Sequence, residues 1–72
     1  MAQLTHSQYD QLERAILDRS RIAIYRRGTE YLVVPQRLRV SGGRELIEST
    51  HPTTGEAITF HIDEVDSIEV IR

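Results

Sequence analysis

Hydrophobic residues recur near the N-terminus at the spacing of an α-helix. One stripe is shared by Tyr9, Leu12, Ala15 and Ile16, and charged residues occupy the opposite side. Thr5 can cap the first turn, and Gln8, three residues later, can return the bond as a capping box. The pattern therefore predicts an amphipathic helix over about residues 7–18, and we expect its stripe to cover one end of a β-barrel rather than to bind a partner.

From Arg21 onward the period changes to two, which is typical of strands with one buried face. Gly28 and the pair Gly42 and Gly43 mark hairpin turns. Pro35 cannot donate to a strand ladder, so it stops or bulges the strand that contains it. The predicted strands cover residues 21–27, 30–34 with a continuation over 36–41, 44–50, 58–62 and 68–71.

The closing stretch, residues 58–71, contains two alternating segments separated by acidic residues. Residues 63–66 are too short for a helix, so we predict a sharp bend there and no helix in the last fifteen residues. Ile62 and Ile68 should be buried. Leu38 and Val40 are also expected to face inward.

One helix followed by five short antiparallel strands predicts a mostly β fold, a five-stranded SH3-like or Sm-like barrel. The expected arrangement is a single domain over residues 1–72, with the strands closed into a cylinder and the helix as its lid. Leu46 and Ile47 are adjacent, which suggests burial on both sides of their strand.

The composition limits which covalent links, metal sites and cellular compartments are compatible with this chain. The 72 residues include no cysteine, which excludes disulfides and thiolate metal sites and fits a reducing compartment. No apolar run approaches the length of a membrane span, and the N-terminus lacks the pattern of a signal peptide. We expect a cytoplasmic protein that does not associate with membranes.

Charge is unevenly distributed along the chain. Residues 19–44 contain seven arginines and one acid, Glu30, whereas residues 45–72 contain seven acids and one arginine, Arg72. Two alternatives remain open. Either the folded strands interleave and cancel these charges, or the first segment forms a basic patch for an anionic partner.

Several short motifs occur in the order and at the spacing of a WYL domain, a module of bacterial transcription regulators. They are Leu12-Glu13-Arg14-Ala15-Ile16, Ile24-Tyr25, Val33-Val34-Pro35-Gln36-Arg37-Leu38, Gly43-Arg44-Glu45-Leu46-Ile47 and Phe60-His61-Ile62-Asp63-Glu64-Val65. The chain resembles that family over residues 9–71. The resemblance implies a small barrel that binds nucleic-acid-like anions and takes part in transcription regulation.

The sequence departs from the family at the positions that carry function. Glu45-Leu46-Ile47 replaces the tripeptide that names the family, so its aromatic pair is absent. Ile58 and Glu64 stand where the family has the arginines of its ligand pocket. Too few residues precede the helix to form a helix-turn-helix. The resemblance therefore implies a detached and partly degenerate member.

The chain offers little support for an enzyme, and we expect no cofactor. His6, His51 and His61 match no zinc spacing. Ser41 lies in a Gly-rich turn without the context of a nucleophile. The acids of residues 63–66 lack the register of a calcium loop and are interpreted as a solvated bend.

A binding surface is the leading functional hypothesis. Tyrosine beside arginines suits single-stranded nucleic acid, because aromatic rings stack on bases and guanidinium groups bind phosphates. The candidate residues for nucleic acid or another anion are Tyr25, Arg27, Arg37, Arg39, Arg44 and His61. Alternatively, Tyr25 belongs to the rim of the core and the arginines pair with Glu45, Glu48 and Glu69.

A second hypothesis belongs to a different class. The barrel has lost its ligand pocket, and an edge strand pairs with a second copy or with a larger regulator. Two observations motivate this alternative. Ile58 and Glu64 stand where the arginines of the ligand pocket are expected, and 72 residues provide only a small core.

Overall fold

The computed structural model describes residues 4–71. Within these residues, a helix is followed by five strands, with one short 3-10 helix before the last of them. The elements are α1 (His6–Asp18), β1 (Ile22–Arg26), β2 (Thr29–Ser41), β3 (Arg44–Thr50), β4 (Ala57–His61), the 3-10 turn (Ile62–Glu64) and β5 (Ser67–Val70).

Helix α1 begins with the predicted capping box. The Thr5 hydroxyl accepts from the Gln8 backbone N–H at 3.1 Å, and Gln8 Oε1 accepts from the Thr5 N–H at 3.0 Å. Leu12 and Ala15 are buried, and Tyr9 packs against the same core. The predicted helix and its apolar stripe are confirmed.

All strand pairs are antiparallel, in the order β4-β3-β2-β1-β5. Arg27 and Gly28, both at positive φ, form the two-residue turn between β1 and β2. The predicted fold class, a mostly β barrel-like domain with an N-terminal helix, is confirmed.

Strand β2 is the longest element of the sheet, with 13 residues, and it pairs with β1 in its first part and with β3 in its second. A bulge between Pro35 and Arg37 interrupts the register. Core-facing positions before the bulge are odd-numbered, such as Val33, and those after it are even-numbered, such as Leu38. The extra residue therefore keeps hydrophobic side chains on one face where a regular strand would have turned them outward.

Two expectations about the closing strands are wrong. The sheet does not close into a cylinder, because β4 and β5 do not pair with each other within residues 4–71. Residues Ile62–Glu64 form a 3-10 turn in the last fifteen residues, where we expected no helix. A 3-10 helix completes one turn in about three residues, so three residues suffice to redirect the chain between two strands.

The core lies between the sheet and α1. Ile62 and Ile68 are both buried, as expected. Leu46 and Ile47 are buried on opposite faces of β3, and only Ile47 belongs to the main core. Val40 is 66% exposed, so its predicted burial is wrong: it lies beside the turn at Gly42 and Gly43, where the hairpin extends beyond the core.

No helix within residues 4–71 combines the length and the apolar character needed to cross a membrane.

Candidate nucleic-acid interface

Strands β2, β3 and β4 present one side of the sheet away from the core. Residues paired across neighbouring strands point to the same side, so the register defines this side row by row. One row contains Arg39, Leu46 and His61, and the next contains Arg37, Glu48 and Thr59. We call this side, together with Arg44 two residues before Leu46 on β3, the outer face.

The outer face thus brings together four of the six residues singled out from the sequence. Arg37, Arg39 and Arg44 have side chains that are 65%, 50% and 44% exposed. The side chain of His61 is 39% exposed. Leu46, in the row of Arg39 and His61, is buried, so this row includes an apolar side chain next to the arginine.

Arg37 and Arg39 share one carboxylate. The Nε of Arg37 donates to Glu48 Oε1, and the Nε of Arg39 lies 3.0 Å from Glu48 Oε2. The hydrogen bond from Arg37 is the main reason why the pKa of Glu48 lies below its ordinary value. Two guanidinium groups on one carboxylate leave this part of the outer face with a positive excess.

Arg44 is held at the margin of the outer face by the 3-10 turn. Its Nε and Nη2 donate to the two carboxylate oxygens of Asp63 at 3.1 and 2.8 Å, a bidentate pair. These bonds lower the pKa of Asp63 and raise that of Arg44. Glu64 lies 3.7 Å from Arg44 and 3.9 Å from His61 Nδ1.

Arg27 lies apart from the outer face, in the turn between β1 and β2. Its Nη2 is 3.9 Å from Glu64, and its backbone N–H donates to Asp66 Oδ2 at 3.1 Å. Arg27 and Arg44 therefore share one carboxylate oxygen, Glu64 Oε2. An anion that bound both arginines would compete with this carboxylate.

Tyr25 is separated from the arginines of the outer face. Its hydroxyl donates to Glu30 Oε2 at 3.3 Å, and Ser67 is its partner on β5. Burial, together with the carboxylates of Glu30 and Glu69, raises the pKa of this hydroxyl. A phosphate beside Tyr25 would meet these two carboxylates, so the surroundings of Tyr25 do not favour an anion.

The two oppositely charged halves of the sequence interleave in the fold. Each arginine ion pair within residues 4–71 joins the basic segment to the acidic one: Arg27 to Glu64, Arg37 and Arg39 to Glu48, and Arg44 to Asp63 and Glu64. The alternative in which neighbouring strands cancel the charges therefore describes these pairs. Of the carboxylates expected as partners, Glu48 does pair with arginines, whereas Glu45 accepts from the Tyr9 hydroxyl. Arg27 and Arg44 pair instead with acids of the 3-10 turn.

Sequence reasoning missed Arg26, a cation at the end of the core. Arg26 shares the core-facing side of β1 with Ile22 and Ile24, and its Cζ lies 5.0 Å from the ring centroid of Tyr31. The alternation of residues 22–26 carried the signal, because it places position 26 on the inner side rather than with Tyr25.

Residues 4–71 contain no group of three or more histidine, aspartate and glutamate side chains that could hold a metal ion. His51 accepts from the backbone N–H groups of Thr53 and Thr54, which gives it a place in a loop turn.

Comparisons with known protein families, with curated proteins and with solved structures find no match for this chain. The resemblance to WYL domains therefore stays a prediction from the sequence.

Proposed function

We propose that this chain is a non-enzymatic regulatory or accessory module that binds single-stranded nucleic acid or a nucleotide-like anion on the outer face. The observation that carries the proposal concerns Arg37 and Arg39, which lie in neighbouring rows of the outer face. Their guanidinium groups are exposed and share Glu48. Both point to the same side of β2, as phosphates along one strand of nucleic acid require.

The ion pairs of the outer face do not prevent binding. Exposed pairs between arginine and carboxylate contribute little to stability, so a phosphate can replace Glu48 as the partner of Arg37 or Arg39. The ring of His61 lies across Leu46 from Arg39 and supplies a flat surface on which a base can stack. Tyr25 and Arg27 do not form part of this minimal site.

Fluorescence anisotropy with a short labelled single strand tests the proposal. We expect saturable binding at low salt that weakens as salt rises, because phosphate contacts release counterions. The double substitution Arg37→Gln and Arg39→Gln should remove most of this binding. The matched control, Arg14→Gln with Arg21→Gln, changes the net charge equally at positions outside the outer face.

Three results would overturn the proposal: no binding at low salt, binding that does not respond to salt, or equal losses in both double variants.

A second candidate function rests on the open sheet. Strands β4 and β5 are the two ends of the strand order, and each has one side without a partner strand in residues 4–71. Ala57 and Thr59 on β4 are exposed and uncharged. Such an edge can pair with a strand of another chain, which supports an interaction or oligomerisation module.

Light scattering over a range of concentrations tests the second candidate. We expect self-association that Ala57→Lys abolishes, because a charge at a strand edge opposes pairing. Thr54→Lys, in the loop before β4, is the control and should leave association unchanged. A wild-type chain that stays monomeric at high concentration argues against self-pairing through β4.

A further inference from the structure

Arg26 is held in place by contacts other than ion pairs. Its Cζ lies 5.0 Å from the ring centroid of Tyr31 and 5.3 Å from that of Phe60. The two rings meet edge to face, with centroids 5.3 Å apart. Because Phe60 is 1% exposed and belongs to the core, the platform beneath the guanidinium group is rigid.

Most hydrogen-bond donors of Arg26 are free of protein acceptors. Nη2 donates to the Tyr31 hydroxyl at 3.2 Å, and no other bond from this side chain to a protein acceptor occurs in residues 4–71. Nor does Arg26 take part in an ion pair with any carboxylate of those residues, unlike Arg37, Arg39 and Arg44.

The Tyr31 hydroxyl is a further donor at the same place. Its oxygen accepts the bond from Arg26, so its own hydrogen is available, and it meets no acceptor among residues 4–71. The guanidinium group of Arg26 and the hydroxyl of Tyr31 thus lie next to each other at the end of the core. Both residues are half-buried, so part of each remains accessible to solvent.

We propose that Arg26 and Tyr31 form a binding site for a phosphate group, separate from the outer face. Arg26 lies on the core-facing side of β1, whereas Arg37 and Arg39 lie on the outer face of β2. A tetrahedral phosphate offers several oxygens, so it can accept from the guanidinium fork and from the hydroxyl together. The fixed position of Arg26 lowers the ordering cost of that contact.

Nuclear magnetic resonance titration with inorganic phosphate tests this site. We expect saturable shifts of the Arg26 Nε–Hε signal and of the backbone amides near Arg26 and Tyr31. Sodium chloride at matched ionic strength should not reproduce them. Arg26→Gln should weaken phosphate binding about tenfold or more, because it removes a charged donor. Tyr31→Phe keeps the ring and should weaken it by a smaller factor.

Arg21→Gln is the matched control, since Arg21 is exposed and forms no ion pair within residues 4–71. Thermal unfolding of each variant verifies that it is folded. The proposal is overturned if phosphate gives no saturable shift at Arg26, if Tyr31→Phe binds as well as wild type, or if Arg21→Gln weakens binding as much as Arg26→Gln. Arg37→Gln with Arg39→Gln should retain the shifts, which separates this site from the outer face.

Discussion

Arg19 ends α1 in a backbone conformation that suits glycine better than arginine. Its φ is 56°, in the left-handed region, and its N–H bonds to the carbonyls of Ala15 and Ile16. A side chain at this conformation costs free energy because its Cβ crowds the backbone. Arg19→Gly should therefore raise the free energy of unfolding by about 0.5–1 kcal/mol, as measured by urea denaturation.

Arg14→Gly controls for the loss of an exposed arginine. Arg14 lies within α1, where glycine costs about 1 kcal/mol. The two substitutions should change stability in opposite directions. If Arg19→Gly also destabilises the chain, the left-handed conformation of Arg19 is not strained.

The Arg44 and Asp63 pair predicts a dependence of stability on pH. Because the folded protein lowers the pKa of Asp63, the pair stabilises the fold above the ordinary aspartate pKa, and this contribution is lost as the pH falls through the lowered value. Arg44→Gln should therefore be less stable than wild type at about pH 7, and the difference should shrink by about pH 3. Urea midpoints at both pH values measure it.

Arg14→Gln is the control for this pair, since Arg14 forms no ion pair within residues 4–71. Its difference from wild type should be small at both pH values. A deficit of Arg44→Gln that is equal at both pH values would show that Asp63 does not carry the effect.

Helix α1 contains two leucines in opposite environments. Leu12 is fully buried, whereas Leu17 is 84% exposed. Leu12→Ala should cost about 2–5 kcal/mol, because it leaves a cavity in the core. That cost rivals the roughly 3–5 kcal/mol that a core of this size provides, so the variant should be largely unfolded.

Leu17→Ala should change stability by no more than about 0.5 kcal/mol, since the side chain is already in water. Circular dichroism and urea denaturation of the two variants measure the contrast. Similar losses in both would mean that α1 does not pack through its Leu12 stripe.

The local pattern was enough to predict α1 and the five strands, though not the 3-10 turn, because each of these elements depends on residues close in sequence. The capping box of Thr5 and the alternation of Ile22 and Ile24 are examples. The pattern could not show that residues on either side of Pro35 form one strand, because a proline allows either a stop or a bulge. Pairing of β2 with two different neighbours decides between them.

The candidate site was only partly predictable, since charge partners depend on the whole fold. The alternation of side chains along the strand correctly placed Arg37 and Arg39 on one side of the sheet. It could not show that Arg44 pairs with Asp63 of the 3-10 turn or that Tyr25 bonds to Glu30. The sequence indicates which side chains point outward, whereas the strand order decides which charges meet.

For the molecule as a whole, the strand order predicts a gradient of hydrogen exchange. Strand β1 is paired on both sides, by β2 and β5, whereas β4 is paired only with β3. Amides of β1 should exchange slowest, and those of β4 that point away from β3 should exchange fastest among the strands. Protection of these β4 amides that increases with protein concentration would indicate that another copy covers the edge.

The shared strand β2 also determines how the domain loses its structure. Its first part supplies Val33 to one half of the sheet and its second part supplies Leu38 to the other, so neither half keeps a complete apolar surface when the other separates. Melting should therefore be all-or-none. Scanning calorimetry is expected to show one peak whose van't Hoff and calorimetric enthalpies agree.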